Sequence, residues 1–137
     1  TRQPIGSACS RTIDSQAATA YTAQPRAMGG DMFEQHSETG FRCLAEGIEI
    51  KTLVRGERTL MVKFRLRAGH TLLLHTHPHE QTGYLVEGHI RLTIDGRVHD
   101  VWAGDSWCIP GGEEHGGELV EDSVIVEVFS PVREDYL

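Results

Sequence analysis

Gly69-His-Thr-Leu-Leu-Leu-His75-Thr-His77-Pro-His79-Glu-Gln81-Thr-Gly-Tyr84-Leu-Val-Glu-Gly88 is the stretch on which the reading of this chain turns. Its first part reads as extended, and alternate side chains of a strand point to one face, so His75 and His77 present their imidazoles to a common point. Beyond the bend that Pro78 imposes, Gln81 returns a carboxamide oxygen to the same place. A fourth ligand must come from another strand. Pro110-Gly-Gly112 builds a tight turn whose exit carries His115 to a strand end, which makes His115 the candidate. These four residues predict one divalent metal ion. Three neutral imidazoles and a neutral amide leave its charge uncompensated by the protein, which suits polarising a substrate oxygen or acidifying a bound water. Imidazole-rich sets accept Ni, Zn, Fe or Mn, and the residues do not choose among them.

Around this stretch the sequence reads as all-β. The chain has 137 residues, the size of one domain. Fifteen of them are glycine, above the usual ~7%, which favours a turn-rich fold. Short β-rich runs begin at Ile48: Ile48 to Val54, Thr59 to Arg67, Gly83 to Glu87, His89 to Ile94, Val98 to Trp102, Asp105 to Ile109 and Ser123 to Phe129. Glycines punctuate them, and Asp95-Gly96 signals a hairpin. Short strands at this spacing predict a sandwich or barrel, with no helix of useful length. Residues 1–40 hold neither a helical nor a strand period and read as an N-terminal arm preceding a barrel over 41–137. That arm is an unstructured tail, a stretch extraneous to the domain, or a strand laid across a neighbouring subunit.

The formal net charge of −7 and the lack of a Lys/Arg run argue against a nucleic-acid partner. Nothing approaches a membrane span or a secretory signal, so a cytoplasmic protein is expected. Cys9, Cys43 and Cys108 are odd in number and widely spaced, which fits incidental thiols in a reducing compartment.

The spacing from Gly69 to Gly88 resembles the first cupin motif: Gly, five residues, His-x-His, three residues, an acidic ligand, six residues, Gly. Gln81 stands where most cupins have Glu. Gly104 to His115 resembles the second motif, Gly, five residues, Pro-x-Gly, two residues, His, although its terminal Asn is Leu119 here. The resemblance covers residues 41–137 and implies a single-domain double-stranded β-helix, the jelly-roll barrel of cupins, with a homodimer as the expected assembly. His75-Thr-His-Pro-His-Glu-Gln-Thr-Gly-Tyr84 and Phe129-Ser-Pro-Val-Arg133-Glu-Asp-Tyr136 are similar to the unsaturated pyranuronate lyase (KdgF-type) group, which uses a Gln among its metal ligands. What this implies is a lyase or isomerase acting on a small carboxylate sugar: opening of a 4,5-unsaturated uronate, a pectin or alginate fragment, to a linear keto-deoxyuronate.

In that group an Asp two residues before the Phe takes the anomeric proton; the matching position is Glu127. Among apolar neighbours its pKa would be raised by desolvation; read alone, it is equally a charge on the strand's outer face. Arg133 offers a planar fork to the substrate carboxylate or an ion pair to Glu134 and Asp135. Tyr84 and Phe129 are candidates to wall a sugar-sized cavity, whereas Trp102 and Trp107 read as core. His79 is a support to the metal ligands, a substrate contact or exposed. His36, His70, His89 and His99 read as surface. Lys63, Arg65 and Arg67 form a solvated face opposite Val62, Phe64 and Leu66. Competing functions are a dioxygenase, a hydroxynitrile-type lyase, or a binding module without turnover.

Overall fold

The computed structural model describes residues 32–137; the expected arm over residues 1–31, with Cys9, lies outside the described residues. Ten strands follow in chain order: β1 Arg42–Ala45, β2 Ile48–Arg55, β3 Leu60–Leu66, β4 Thr71–His75, β5 Glu80–Glu87, β6 His89–Ile94, β7 Arg97–Trp102, β8 Ser106–Ile109, β9 His115–Leu119 and β10 Ser123–Ser130. A 3-10 turn at Glu134–Tyr136 is the only helical element among the described residues. None of their helices is long and apolar enough to cross a membrane.

The strands form two sheets with every pairing antiparallel, one ordered β1-β2-β3-β10-β5-β8 and the other β4-β9-β6-β7. Their facing sides make the core, because period-two alternation sends every second residue inward. On β3, Leu60, Val62, Phe64 and Leu66 are buried while Met61 is exposed. On β10 the inward set is Ser123, Ile125, Glu127 and Phe129. The β6–β7 hairpin turns at Asp95 and Gly96, both with positive φ as a type I′ turn requires.

Several expectations are corrected. β1, a strand beyond those expected, is exposed along its length and has no alternation to mark it in the sequence. His89 is buried rather than on the surface: its ring stacks on Trp102 at 3.7 Å between centroids, and its Nε2 lies 2.8 Å from Asp100 Oδ1. Trp102, expected in the core, is 53% exposed, and it is His89 that lies beneath it. The described end of the expected arm, residues 32–40, carries no strand and lies against β2 and β3. Lys51 Nζ donates to the Ser37 carbonyl at 2.9 Å, and Arg65 pairs with Glu38.

Candidate metal centre

The two sheets supply the site jointly. His75 at the end of β4 and His115 at the start of β9 face each other as a cross-strand pair, with ring centroids 4.3 Å apart. His77 lies in the connection after β4, its ring 4.9 Å from that of His115. Here the two sequence motifs meet. Gly112, at φ +83°, donates its N–H to the His77 carbonyl at 2.8 Å. A Cβ on Gly111 would fall 2.2 Å from the Pro78 carbonyl oxygen, so only glycine lets the turn approach this closely. From the other sheet, Gln81 points inward from β5, buried, with Oε1 2.7 Å from His77 Nε2.

His75, His77 and His115 bring one ring nitrogen each within 4.8 Å of one another. Hydrogen bonding assigns two of the tautomers. His75 Nδ1 lies 2.8 Å from the Leu73 carbonyl and His115 Nδ1 2.8 Å from that of Glu113. A carbonyl only accepts, so both Nδ1 atoms carry the proton and both Nε2 atoms keep a lone pair, as metal-ligating histidines require. His115 Nε2 is buried with no hydrogen-bond partner among the described residues, an arrangement that costs free energy unless a ligand satisfies it. Burial holds the His77 and His115 imidazoles below the ordinary histidine range, and Arg133 adds to the effect, so both are neutral donors near neutral pH. The histidine set therefore fits a divalent ion, and Gln81 Oε1 is the adjoining oxygen donor. In this arrangement His77 Nε2–H donates to Gln81. Ligation by that nitrogen would move the proton to His77 Nδ1, which is buried and without a partner among the described residues.

Behind Gln81 stands Glu127. The Gln81 Nε2 amide donates to Glu127 Oε1 at 2.9 Å, and the Trp107 indole N–H reaches the same oxygen at 3.3 Å. Glu127 lies on the inner face of β10 and is 6% exposed, which decides between the inward and outward alternatives. Burial pushes its carboxyl up to about 7, against the pull of its two donors and Arg133. Arg133 reaches the same interior cavity from the segment after β10. Its Nε donates to Asp135 at 3.0 Å, and its guanidinium lies 3.9 Å over the Tyr136 ring, so it makes a local ion pair while also lining the cavity.

Phe129 is fully buried beside His77, centroid to centroid 5.8 Å, and packs the ligand rather than walling an open space. Tyr84 is corrected outright: it occupies the outward phase of β5, 50% exposed, and does not line the cavity. His79 is half-buried, its ring 5.6 Å from that of His77, with Nδ1 unpartnered among the described residues. Trp107 packs against the hydrophobic core, as read from the sequence, and its indole also reaches the site. No local pattern marks it, because what admits the ring is Gly83 opposite it in the register of β5 and β8.

A two-sheet jelly-roll barrel with a three-histidine cluster between its sheets defines a cupin with a metal-capable centre. The chain belongs to the cupin domain family, whose model matches residues 62–130. It is similar to the pectin degradation protein KdgF of Dickeya dadantii (strain 3937), 31% identical over 102 residues, 73% of this chain and 93% of that protein. Among solved structures it is similar to KdgF from Halomonas sp., with a TM-score of 0.74 at 28% identity, covering 78% of this chain and 99% of that one. An RmlC-like cupin from Shewanella frigidimarina NCIMB 400 is similar to the same degree, TM-score 0.74 at 28% identity, over 78% of this chain and 96% of that one.

Proposed function

We propose that this cupin is a divalent-metal-dependent enzyme that opens the ring of a 4,5-unsaturated uronate, a fragment of pectin or alginate, to a linear keto-deoxyuronate. The observation that carries the reading is Glu127, a buried carboxyl that accepts from Gln81 Nε2 at 2.9 Å and so stands one amide away from a three-histidine cluster, with burial pushing it up to about 7. Similarity to the pectin degradation protein KdgF supplies the substrate class. His75, His77, Gln81 and His115 would hold the ion, which when bound supplies Lewis-acid polarisation of substrate oxygens.

The chain's own groups account for binding and proton transfer. Arg133 has two further guanidinium nitrogens, which make no hydrogen bond among the described residues and match a uronate carboxylate. Glu127 in its ionised form takes the proton from the anomeric hydroxyl. The C1 oxygen then forms the aldehyde while the bond from C1 to the ring oxygen breaks, and its electron pair stays on that oxygen as an enolate. Ketonisation places a proton on C4, which Glu127 returns, so the reaction is an isomerisation with no co-reactant. His79, whose ring lies 5.6 Å from that of His77, would meet a substrate hydroxyl. The working assembly is a homodimer, for which the exposed Met61, Tyr84 and Val86 on the outer face of the larger sheet offer an apolar surface.

Adding 4,5-unsaturated galacturonate to metal-loaded protein should give loss of the conjugated alkene's ultraviolet absorbance, abolished by chelation. No loss across Ni, Zn, Fe and Mn would end this reading. A second reading, a dioxygenase or hydroxynitrile-type lyase on a less polar substrate, is favoured by the aliphatic cavity wall of Ile48, Leu66, Leu92 and Ile125. Oxygen consumption by the iron-loaded protein, or cyanide release from an aromatic cyanohydrin, would identify it.

A further inference from the structure

Glu127 Oε1 receives two hydrogen bonds, from Gln81 Nε2 at 2.9 Å and Trp107 Nε1 at 3.3 Å, whereas Oε2 receives none among the described residues. A carboxylate held through one oxygen by two donors from different strands has lost its freedom to rotate, and its second oxygen is the one left for chemistry. We infer that Trp107 is a positioning residue, holding Glu127 so that Oε2 faces the reacting centre, and that Gly83 exists at its position to admit the indole.

The second half of the inference rests on packing. Gly83 pairs with Trp107 across β5 and β8 and with Glu127 across β5 and β10, so three adjacent strands bring these residues side by side. A Cβ built on Gly83 would lie 2.1 Å from Trp107 Cε2 and 2.4 Å from Nε1. Any side chain there displaces the ring from the position in which its N–H reaches the carboxylate. Trp107 also lines two cavities, the interior one that holds Glu127 and the open cleft between the free edges of β7 and β8. The indole is thus the partition between the site and solvent on that side. An ordinary core tryptophan needs only its ring buried; this one spends its single donor on Glu127, the one buried carboxylate among the described residues.

The inference rests on the ring-opening reading for its substrate but not for its contact, and two measurements separate them. The chain has only two tryptophans, so a spectrum of 15N-labelled metal-free protein contains two indole N–H signals, assigned by Trp107→Phe. Glu127→Ala should move the Trp107 signal and speed its exchange with solvent while leaving that of Trp102 in place; an unmoved Trp107 signal overturns the inference. In the metal-loaded protein, Trp107→Phe keeps the ring and removes the donor. It should lower kcat about tenfold, the scale of one hydrogen bond to a charged group, with KM and metal content within twofold. Gly83→Ala should reproduce that loss and broaden or shift the indole signal. A Trp107→Phe protein with unchanged kcat and only a lower melting temperature would make the residue structural and overturn the inference. If the wild type fails to turn over the uronate while the indole signal responds to Glu127→Ala, the function is wrong and the positioning contact stands.

Discussion

Gln81 faces the histidines with its oxygen and Glu127 with its nitrogen. An amide is the one side chain of this length that can do both, since a glutamate here would set two carboxylates against each other. Gln81→Ala should therefore weaken metal binding by at least about tenfold, read by competition with a chromophoric chelator; full affinity in that variant would remove Gln81 from the ligand set. Glu127 gives a second prediction with a defined sign. Its carboxyl, ordinarily near 4.5, is pushed up to about 7 in the fold. The folded protein keeps a proton that the unfolded chain releases across that interval, so stability is greatest below pH 4.5 with respect to this group and is lost as pH rises to 7. Glu127→Gln removes the burden. The metal-free variant should be more stable than wild type by about 2 kcal/mol at pH 8, with the gap closing toward pH 5, in denaturant titrations at both values. The same variant should lose turnover about 100-fold or more.

Strand pairing sets the distance between the candidate ligands. His75 and His115 meet because β4 lies close against β9, and Gly116 permits that approach: a Cβ there would stand 2.7 Å from the Leu72 carbonyl oxygen and 3.0 Å from the Leu74 nitrogen. Both obstacles are backbone, so β4 itself would have to move. Gly116→Ala should cost about 1–3 kcal/mol in stability, measured by chemical denaturation, and should weaken metal binding along with it. Loss of stability with undiminished affinity would show that β4 can shift without carrying His75. At the other end of the site, the turn at Glu134–Tyr136 anchors the segment that bears Arg133. Tyr136 is buried against Phe64 and Phe129, at 6.0 and 5.4 Å between centroids, and its carbonyl accepts from Arg42 Nη2 at 2.9 Å.

For the whole molecule, an ion held at this centre would link two sheets that otherwise meet largely through apolar contact. The candidate ligands come from β4 and β9 on one side and from β5 on the other, so an ion that binds only the folded state would stabilise the barrel by mass action. At a free metal concentration of ~100 times Kd this amounts to about 2.7 kcal/mol, and the melting temperature should rise by on the order of 10 °C. Calorimetry with and without chelator tests it, and an unchanged transition would mean that no ion bridges the sheets.

The spacing of His75, His77, Gln81 and His115, the glycine-marked turns and the alternation of β3 were legible in the sequence because each is a local quantity. Strand period and turn chemistry act over a few residues, whatever lies opposite. Which face is the inside was not local. Along β10 both phases are largely apolar, Val124, Val126 and Val128 against Ile125 and Phe129, and only the packing of the second sheet turns Glu127 inward. The same cause separates the tryptophans, which lie in different sheets: Trp107 faces the gap between them, and Trp102, on the outside of β7, covers His89 instead. Residue spacing thus determined the candidate ligands, while the apposition of two sheets decided which carboxylate stands behind them and what holds it, because burial is a property of the partner surface and not of the strand.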